Sequence, residues 1–270
     1  MVEAPEHGWL YYRVYVADVT EMQLLLEQVL RPILLPLGTD WFFLQFQDAT
    51  GLHLRLRLRG RHGELAVLER TLETEFADAG LEYAKCLYAP EYHKFGEGEG
   101  MRMAERIFCA GSRAALSCAG PRQRSLRLYY GAAHTALMVA PLPPQERRCF
   151  LHQNSWYWYG GPLSRTVRPR APVNADQTAP LLSQIGHVLQ DDDARAALTG
   201  YAEEAWRQLR APERAHVQRT DTFLLFHHIH LMNNRLGIFR SEEAAISRLL
   251  WSASADNCHA LWSAEPSNAS

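Results

Sequence analysis

The run His53-Leu-Arg-Leu-Arg-Leu-Arg59 constrains this chain more than any other stretch. Alternation with a period of two marks a β-strand, so Leu54, Leu56 and Leu58 share one face and His53, Arg55, Arg57 and Arg59 the other. The leucine face belongs to a core. The other is a row of cations that repel one another unless solvent, acidic partners or an anionic ligand offsets them. Taken alone, the stretch fits a solvated sheet face as well as a binding face.

The preceding run, Trp41-Phe-Phe-Leu-Gln-Phe-Gln47, also alternates. A three-residue connection, Ala49-Thr50-Gly51, pairs Gln47 with His53, Gln45 with Arg55 and Phe43 with Arg57. That register sets Phe46, Leu44 and Phe42 over Leu54, Leu56 and Leu58. A two-residue connection mixes apolar and charged side chains on one face, so the hydrophobic pattern predicts the longer loop.

With 270 residues the chain can bury a substantial core, and a formal charge of −2 gives no global mark of a nucleic-acid binder. Its basic residues are arginines except for Lys85 and Lys94. Five scattered cysteines without a CxxC pair argue against a disulfide framework and a structural zinc site, and fit a reducing compartment. No apolar run approaches the ~20 residues that cross a bilayer, and no signal peptide precedes Trp9. The expectation is a cytoplasmic protein that binds neither membrane nor nucleic acid.

In chain order, residues 9–16 alternate as a strand. Asp18 or Thr20 caps a helix carrying Met22, Leu25, Leu26, Val29, Leu30 and Ile33, which Pro32 kinks or ends. The hairpin follows at 41–59, then a helix over 64–79 stopped by Gly80, then a strand over 81–88. Strand, helix, strand, strand, helix, strand is the order of a ferredoxin-like split βαββαβ unit with an antiparallel sheet. Its two helices cover the leucine face, leaving Arg13, His53, Arg55 and Arg57 on the side that the second half of the chain covers at least partly. Helices are predicted over 101–116, 126–142, 145–158, 181–189, 193–209, 213–233 and 242–251, with a long Pro-, Gly- and Arg-rich loop over 160–180. The fold class is α+β, with a ferredoxin-like subdomain over 1–90 and a mainly helical one over 91–270 forming one unit.

Two further stretches carry polar side chains at suggestive spacings. His227, His230 and Asn234 lie along one helical face, but no HExxH or partner motif accompanies them, so structural histidines are favoured over a metal site. Tyr88-Ala-Pro-Glu91-Tyr-His-Lys94-Phe-Gly96-Glu-Gly-Glu-Gly100 matches neither GxGxxG nor the Walker spacing. Glu91 and Lys94 follow the last strand and lie near the edge of the cationic face, where a charged network can form.

Together, the aromatic strand Trp41-Phe-Phe, Asp48, His53-Leu-Arg55-Leu-Arg57, Tyr88-x-x-Glu91-x-x-Lys94-x-Gly96, Ala104-Glu105-x-x-Phe108 and His230-x-x-x-Asn234-Arg235 resemble the C-terminal elimination domain of lantibiotic dehydratases. The resemblance spans about residues 9–250. It implies that Arg55 or Arg57, Glu91, Lys94 and His230 surround a modified residue of a ribosomally made precursor peptide. In this family standalone proteins act either as glutamate-elimination lyases, forming dehydroalanine or dehydrobutyrine from glutamylated Ser or Thr, or as thiopeptide pyridine synthases. Two departures bear on the choice. Lys94-Phe95-Gly96-Glu97 stands where elimination members carry Arg-Tyr-Gly-Gly, and Gly111 stands where they carry an Asp. Lysine does not reproduce the two parallel hydrogen bonds by which arginine grips a carboxylate.

The resemblance therefore implies a pyridine synthase that joins two dehydroalanines by a formal [4+2] cycloaddition and releases water and the leader peptide. On this reading His230, Arg55, Arg57, Glu91 and Tyr11 are catalytic, with His230 the acid/base. Arg13, His53, Lys94, His227 and Asn234 bind substrate, and loop 160–180 helps to hold the leader or core peptide. The chemistry requires no metal and no cofactor, and the partners are the leader-bearing dehydrated peptide and other biosynthetic enzymes. The rivals are the elimination lyase and a non-catalytic leader-peptide-binding module.

Overall fold

The computed structural model describes residues 7–119, 123–158 and 175–255. Strands β1 (His7–Val16), β2 (Asp40–Asp48), β3 (Gly51–Arg61) and β4 (Tyr83–Lys85) form an antiparallel sheet in the order β2-β3-β1-β4, the order of a ferredoxin-like unit. The last strand is shorter than the sequence predicts: beyond Lys85 only the Cys86 N–H still reaches Tyr11 O, before Pro90.

Helix α1 (Val19–Leu24) opens on Asp18, whose carboxylate accepts from the Thr20 and Glu21 N–H groups. It runs through a π-helical stretch (Leu25–Leu30) into α2 (Arg31–Leu34). Pro32 does not end the helix, because it sits in the first turn after the π stretch. These turns and α3 (His62–Asp78) pack on the leucine face. Tyr12, Val14, Trp41, Phe43, Leu54, Leu56 and Leu58 are buried there with Met22, Leu30, Leu72 and Phe76. Gly80 ends α3 with φ of 68°, as its position after the helix requires.

The hairpin departs from the predicted register. Asp48 pairs with Gly51, so the connection is the two residues Ala49-Thr50, held by Asp48 Oδ1 accepting from the Thr50 N–H at 2.8 Å. Phe46 then faces His53, Leu44 faces Arg55 and Phe42 faces Arg57, while Trp41 and Phe43 lie with the leucines. The reason is that guanidinium groups accept aromatic neighbours: Arg55 Cζ sits 3.4 Å from the Phe46 ring centroid, and Arg57 Cζ 5.2 Å from that of Phe42. Mixing aromatic and cationic side chains on one face is what the hairpin selects.

The helical half comprises α4 (Tyr92–Phe95), α5 (Glu99–Ser117), α6 (Gln123–Val139), α7 (Pro144–Trp158), α8 (Ala175–Gln190), α9 (Asp192–Leu209), α10 (Asp221–Arg235) and α11 (Arg240–Ala255). The single helix predicted over 213–233 is instead a 3₁₀ turn (Pro212–His216) followed by α10, which Thr220 opens by accepting the Phe223 N–H. The predicted loop 160–180 lies outside the described residues up to 174, and residues 175–180 belong to α8, which holds Pro180 inside it. Gly96 and Gly98 make the turn between α4 and α5 with positive φ, and in the first turn of α5 a Cβ at Gly100 would stand 2.2 Å from the Phe95 carbonyl oxygen.

The outer edge of β2 is closed by side chains from α5 and α10. The Phe43 N–H donates to Ser112 Oγ (3.1 Å), the Gln45 N–H to Asn234 Oδ1 (3.0 Å), and Asn234 Nδ2 to Gln45 O (2.8 Å). An edge strand that would otherwise expose unpaired backbone groups is thereby fixed to the helices. Among the described residues no helix is long and apolar enough to cross a membrane.

Candidate active site

Fastening β2 to α5 and α10 leaves a cavity of about 920 Å³ between the arginine face of the sheet and the helices. Its sheet wall carries Tyr11, Arg13, Arg55 and Arg57. The 88–95 segment contributes Tyr88, Glu91, Lys94 and Phe95, and α10 contributes His227, His230 and Asn234. Of the residues singled out in the sequence, His53 alone is not on the wall.

Arg57 is the most unusual of these. Its side chain is 9% exposed, and its Nε and Nη1 atoms find no hydrogen-bond partner among the described residues. Its guanidinium carbon lies 4.5 Å from the Tyr11 ring centroid and 5.3 Å from that of Tyr88, with Phe42 completing the cage. Burial lowers its pKa; among the described residues no carboxylate is paired with it, and the charge of Glu91 offsets that cost only in part. Tyr88 is held in turn by donating to Glu105 Oε1 at 2.9 Å. Burial pushes the Glu105 carboxyl above the usual carboxylate range.

Arg55 is spoken for on one side. Its Nε donates to His53 Nε2 (3.3 Å), and His53 Nδ1 lies 3.2 Å from Gly51 O, which fixes the Nδ1–H tautomer. His53 is fully buried between the Tyr15 and Phe46 rings, its pKa lowered by burial, so it orients Arg55 rather than lining the cavity. A loose ion pair at 3.8 Å to Asp48 steadies the other end of Arg55. Arg13 lies directly across from Arg55 on β1 and donates to Tyr11 Oη at 3.4 Å. Glu91 and Lys94 pair with each other at 3.0 Å on the partly exposed rim.

On the opposite wall His230 Nδ1 lies 2.9 Å from Glu243 Oε2, and the Trp158 ring stacks on the imidazole at 4.4 Å between centroids. His227 also faces the cavity; burial, then the charges of Lys94 and His230, push its pKa down to about 4. His228 points away, into the packing of Phe95 and Phe108. Asn234 lines the wall while spending both ends of its amide on Gln45, which makes it a fastener of the wall. No group of three or more His, Cys, Asp or Glu among the described residues is arranged to hold a metal ion.

Sequence reasoning missed Glu243, Trp158 and the part that Phe46 and Tyr88 play. Glu243 stands 13 residues from His230 on a separate helix, so no spacing within one element links them. Phe46 and Tyr88 were in plain sight, but the wrong register put Phe46 on the other face.

The fold has known counterparts. A tRNA-dependent lantibiotic dehydratase, MibB, from Microbispora sp. 107891, matches with a TM-score of 0.69 and 23% identity over 95% of this chain. The match covers 29% of MibB, so this chain spans under a third of that protein's length. TsrL matches with a TM-score of 0.57 and 19% identity, over 96% of this chain and 99% of its own. TbtD, a pyridine synthase from thiomuracin biosynthesis, matches with a TM-score of 0.61 and 12% identity, over 92% of this chain and 98% of its own. No curated protein matches. The family model for the C-terminal part of lantibiotic biosynthesis dehydratases matches residues 9–254, and the chain belongs to that family.

Proposed function

We propose that this protein modifies a ribosomally made precursor peptide, and that it is a thiopeptide pyridine synthase. The observation that carries the reading is the cavity itself. One wall holds a caged guanidinium with no anion of its own, and the facing wall holds an imidazole whose Nδ1 is fixed. A cavity of about 920 Å³ takes a folded peptide segment that brings two dehydroalanines together. Holding two alkenes in register is worth up to ~7–11 kcal/mol of the barrier in favourable cases.

In this mechanism the amide joining one dehydroalanine to the preceding residue tautomerises to an iminol, moving its N–H proton to oxygen. His230 relays that proton. Arg57 stabilises the negative charge that builds on the amide oxygen, where a desolvated cation acts most strongly. The 2-azadiene so formed adds through its two carbon ends to the second alkene, making two C–C bonds and leaving a C=N bond in the new six-membered ring. The hydroxyl then leaves as water, and the leader leaves as its carboxamide, giving the pyridine. Tyr11 and Arg55 shape the donor wall, Glu91 and Lys94 its rim, and Arg13 the approach for the peptide.

Elimination of glutamate is the second reading, because an unpaired Arg57 also suits a departing carboxylate. The purified protein is given, in separate reactions, a leader-bearing peptide with two dehydroalanines and a peptide glutamylated on Ser, each followed by mass spectrometry. Pyridine synthesis yields a macrocycle and free leader in the first reaction. Free glutamate in the second, with no ring in the first, would overturn it in favour of the lyase. Leader binding with neither product would leave a peptide-binding module.

A further inference from the structure

We infer that Glu243 is a positioning residue for His230, holding the proton on Nδ1 and presenting Nε2 to the cavity as the proton-accepting atom. The inference rests on the proposed acid/base use of His230 and adds the group that makes this use possible. Glu243 is 1% exposed and comes from α11, whereas His230 comes from α10. The Glu243 Oε2 to His230 Nδ1 distance is 2.9 Å, and Oε1 has no partner among the described residues. A carboxylate buried with His230 as its one side-chain partner among the described residues is a poor stabilising device, since desolvation costs more than a single contact returns. It is a good device for an imidazole that gains a proton during reaction, because the positive charge then appears beside a fixed negative one.

Three further features keep the ring in this pose. Trp158 stacks on it with planes 28° apart, and Phe226 stacks on Trp158 at 11°. Arg240, also on the cavity wall, places its guanidinium carbon 5.4 Å from the Trp158 ring centroid. No described residue bonds Nε2, and the side chain is 23% exposed, so that nitrogen is open to a substrate proton.

The test needs no substrate in its first arm. With ¹⁵N-labelled imidazoles, read at a pH where the ring is neutral, His230 of the full chain is expected as the Nδ1–H tautomer. Glu243→Ala should shift it toward a mixture, and the isosteric Glu243→Gln covers the case in which the alanine variant does not fold. In the second arm, both variants should lower kcat by about 10- to 100-fold with KM within about twofold, and Glu243→Asp should recover part of the loss. An Nε2–H tautomer in the unaltered protein overturns the inference whatever the activity. So does a Glu243→Gln variant with unchanged kcat when His230→Ala abolishes turnover. A protein inactive on either peptide but showing the Nδ1–H form would instead refute the catalytic reading and keep the pairing.

Discussion

The two faces of one four-stranded sheet solve opposite problems. On the leucine face Leu54, Leu56 and Leu58 meet Trp41, Phe43, Tyr12 and Val14, all fully buried under the helices. On the other, Arg57 is nearly as far from water, yet it is a cation, and Arg13 and Arg55 lie half-buried beside it. The first face gains burial energy in proportion to area, although Trp41 Nε1 finds no hydrogen-bond partner among the described residues. The second accepts a desolvation cost that three aromatic rings only partly offset, and it keeps a cavity above the charge. A cation held dry and unpaired contributes to what enters the cavity rather than to the fold.

The sharpest way to break that comparison is to cut one side chain from each face. Leu56→Ala should lower unfolding free energy by about 3–5 kcal/mol, the range for a buried leucine whose cavity cannot collapse, read from the denaturant midpoint. Activity per folded molecule should hold. Arg57→Met, one residue away, should do the reverse. Its kcat should fall about 100- to 1,000-fold, as when a preorganised donor to developing charge is lost. Its stability should be unchanged or raised, because an isolated buried charge has been replaced by a packable chain. A destabilised Arg57→Met with normal turnover would make the arginine a structural member of the packing around Tyr11, Phe42 and Tyr88.

The outcome of the hairpin shows how far the sequence could be read. β3 alternates so strictly that its two faces follow from the letters alone, and the ferredoxin-like order follows from the spacing of the elements around it. β2 carries aromatic side chains on both faces, so its pattern does not choose a register; the cation–π contacts across to β3 do, and they are tertiary. The cavity wall was legible where it lay on periodic elements, as for Arg57 on β3 and His230 on α10. His53 was misread because burial, not its position in the row, decides what a side chain touches. Glu243 was invisible because its link to His230 is made only when α10 and α11 pack.

Dry packing also holds histidines away from the cavity, His228 on α10 and His134 on α6, and pH exposes it. His228 and His134 are buried, and burial pushes both pKa values down to about 3. An unfolded histidine titrates near 6.5, so between about pH 6.5 and 3 the unfolded chain binds protons that the folded one refuses. Stability is therefore full above pH 6.5 and lost as pH falls, by up to about 2 kcal/mol per residue on reaching pH 5. His228→Phe, set between Phe95 and Phe108, should flatten the slope by about 1 kcal/mol per pH unit. Denaturant midpoints at pH 7 and 5 for both proteins check it, and equal slopes would mean that His228 takes up its proton without unfolding.

The smallest effect should come from Lys94, which separates a caged cation from a paired one. Its ammonium lies 3.0 Å from Glu91, with its side chain 35% exposed and that of Glu91 47%. An exposed pair of this kind is worth about 0–1 kcal/mol, so Lys94→Met should leave unfolding within about 0.5 kcal/mol of the parent. Under the proposed function the charge acts on substrate through a screened rim, so KM should rise only about two- to fivefold while kcat stays put. If the chemistry were glutamate elimination with Lys94 gripping the leaving carboxylate, kcat itself should drop, and Lys94→Arg should restore or exceed it through paired hydrogen bonds. Steady-state kinetics on the two variants thus distinguishes a rim that helps the peptide settle from a clamp that acts on the bond being broken.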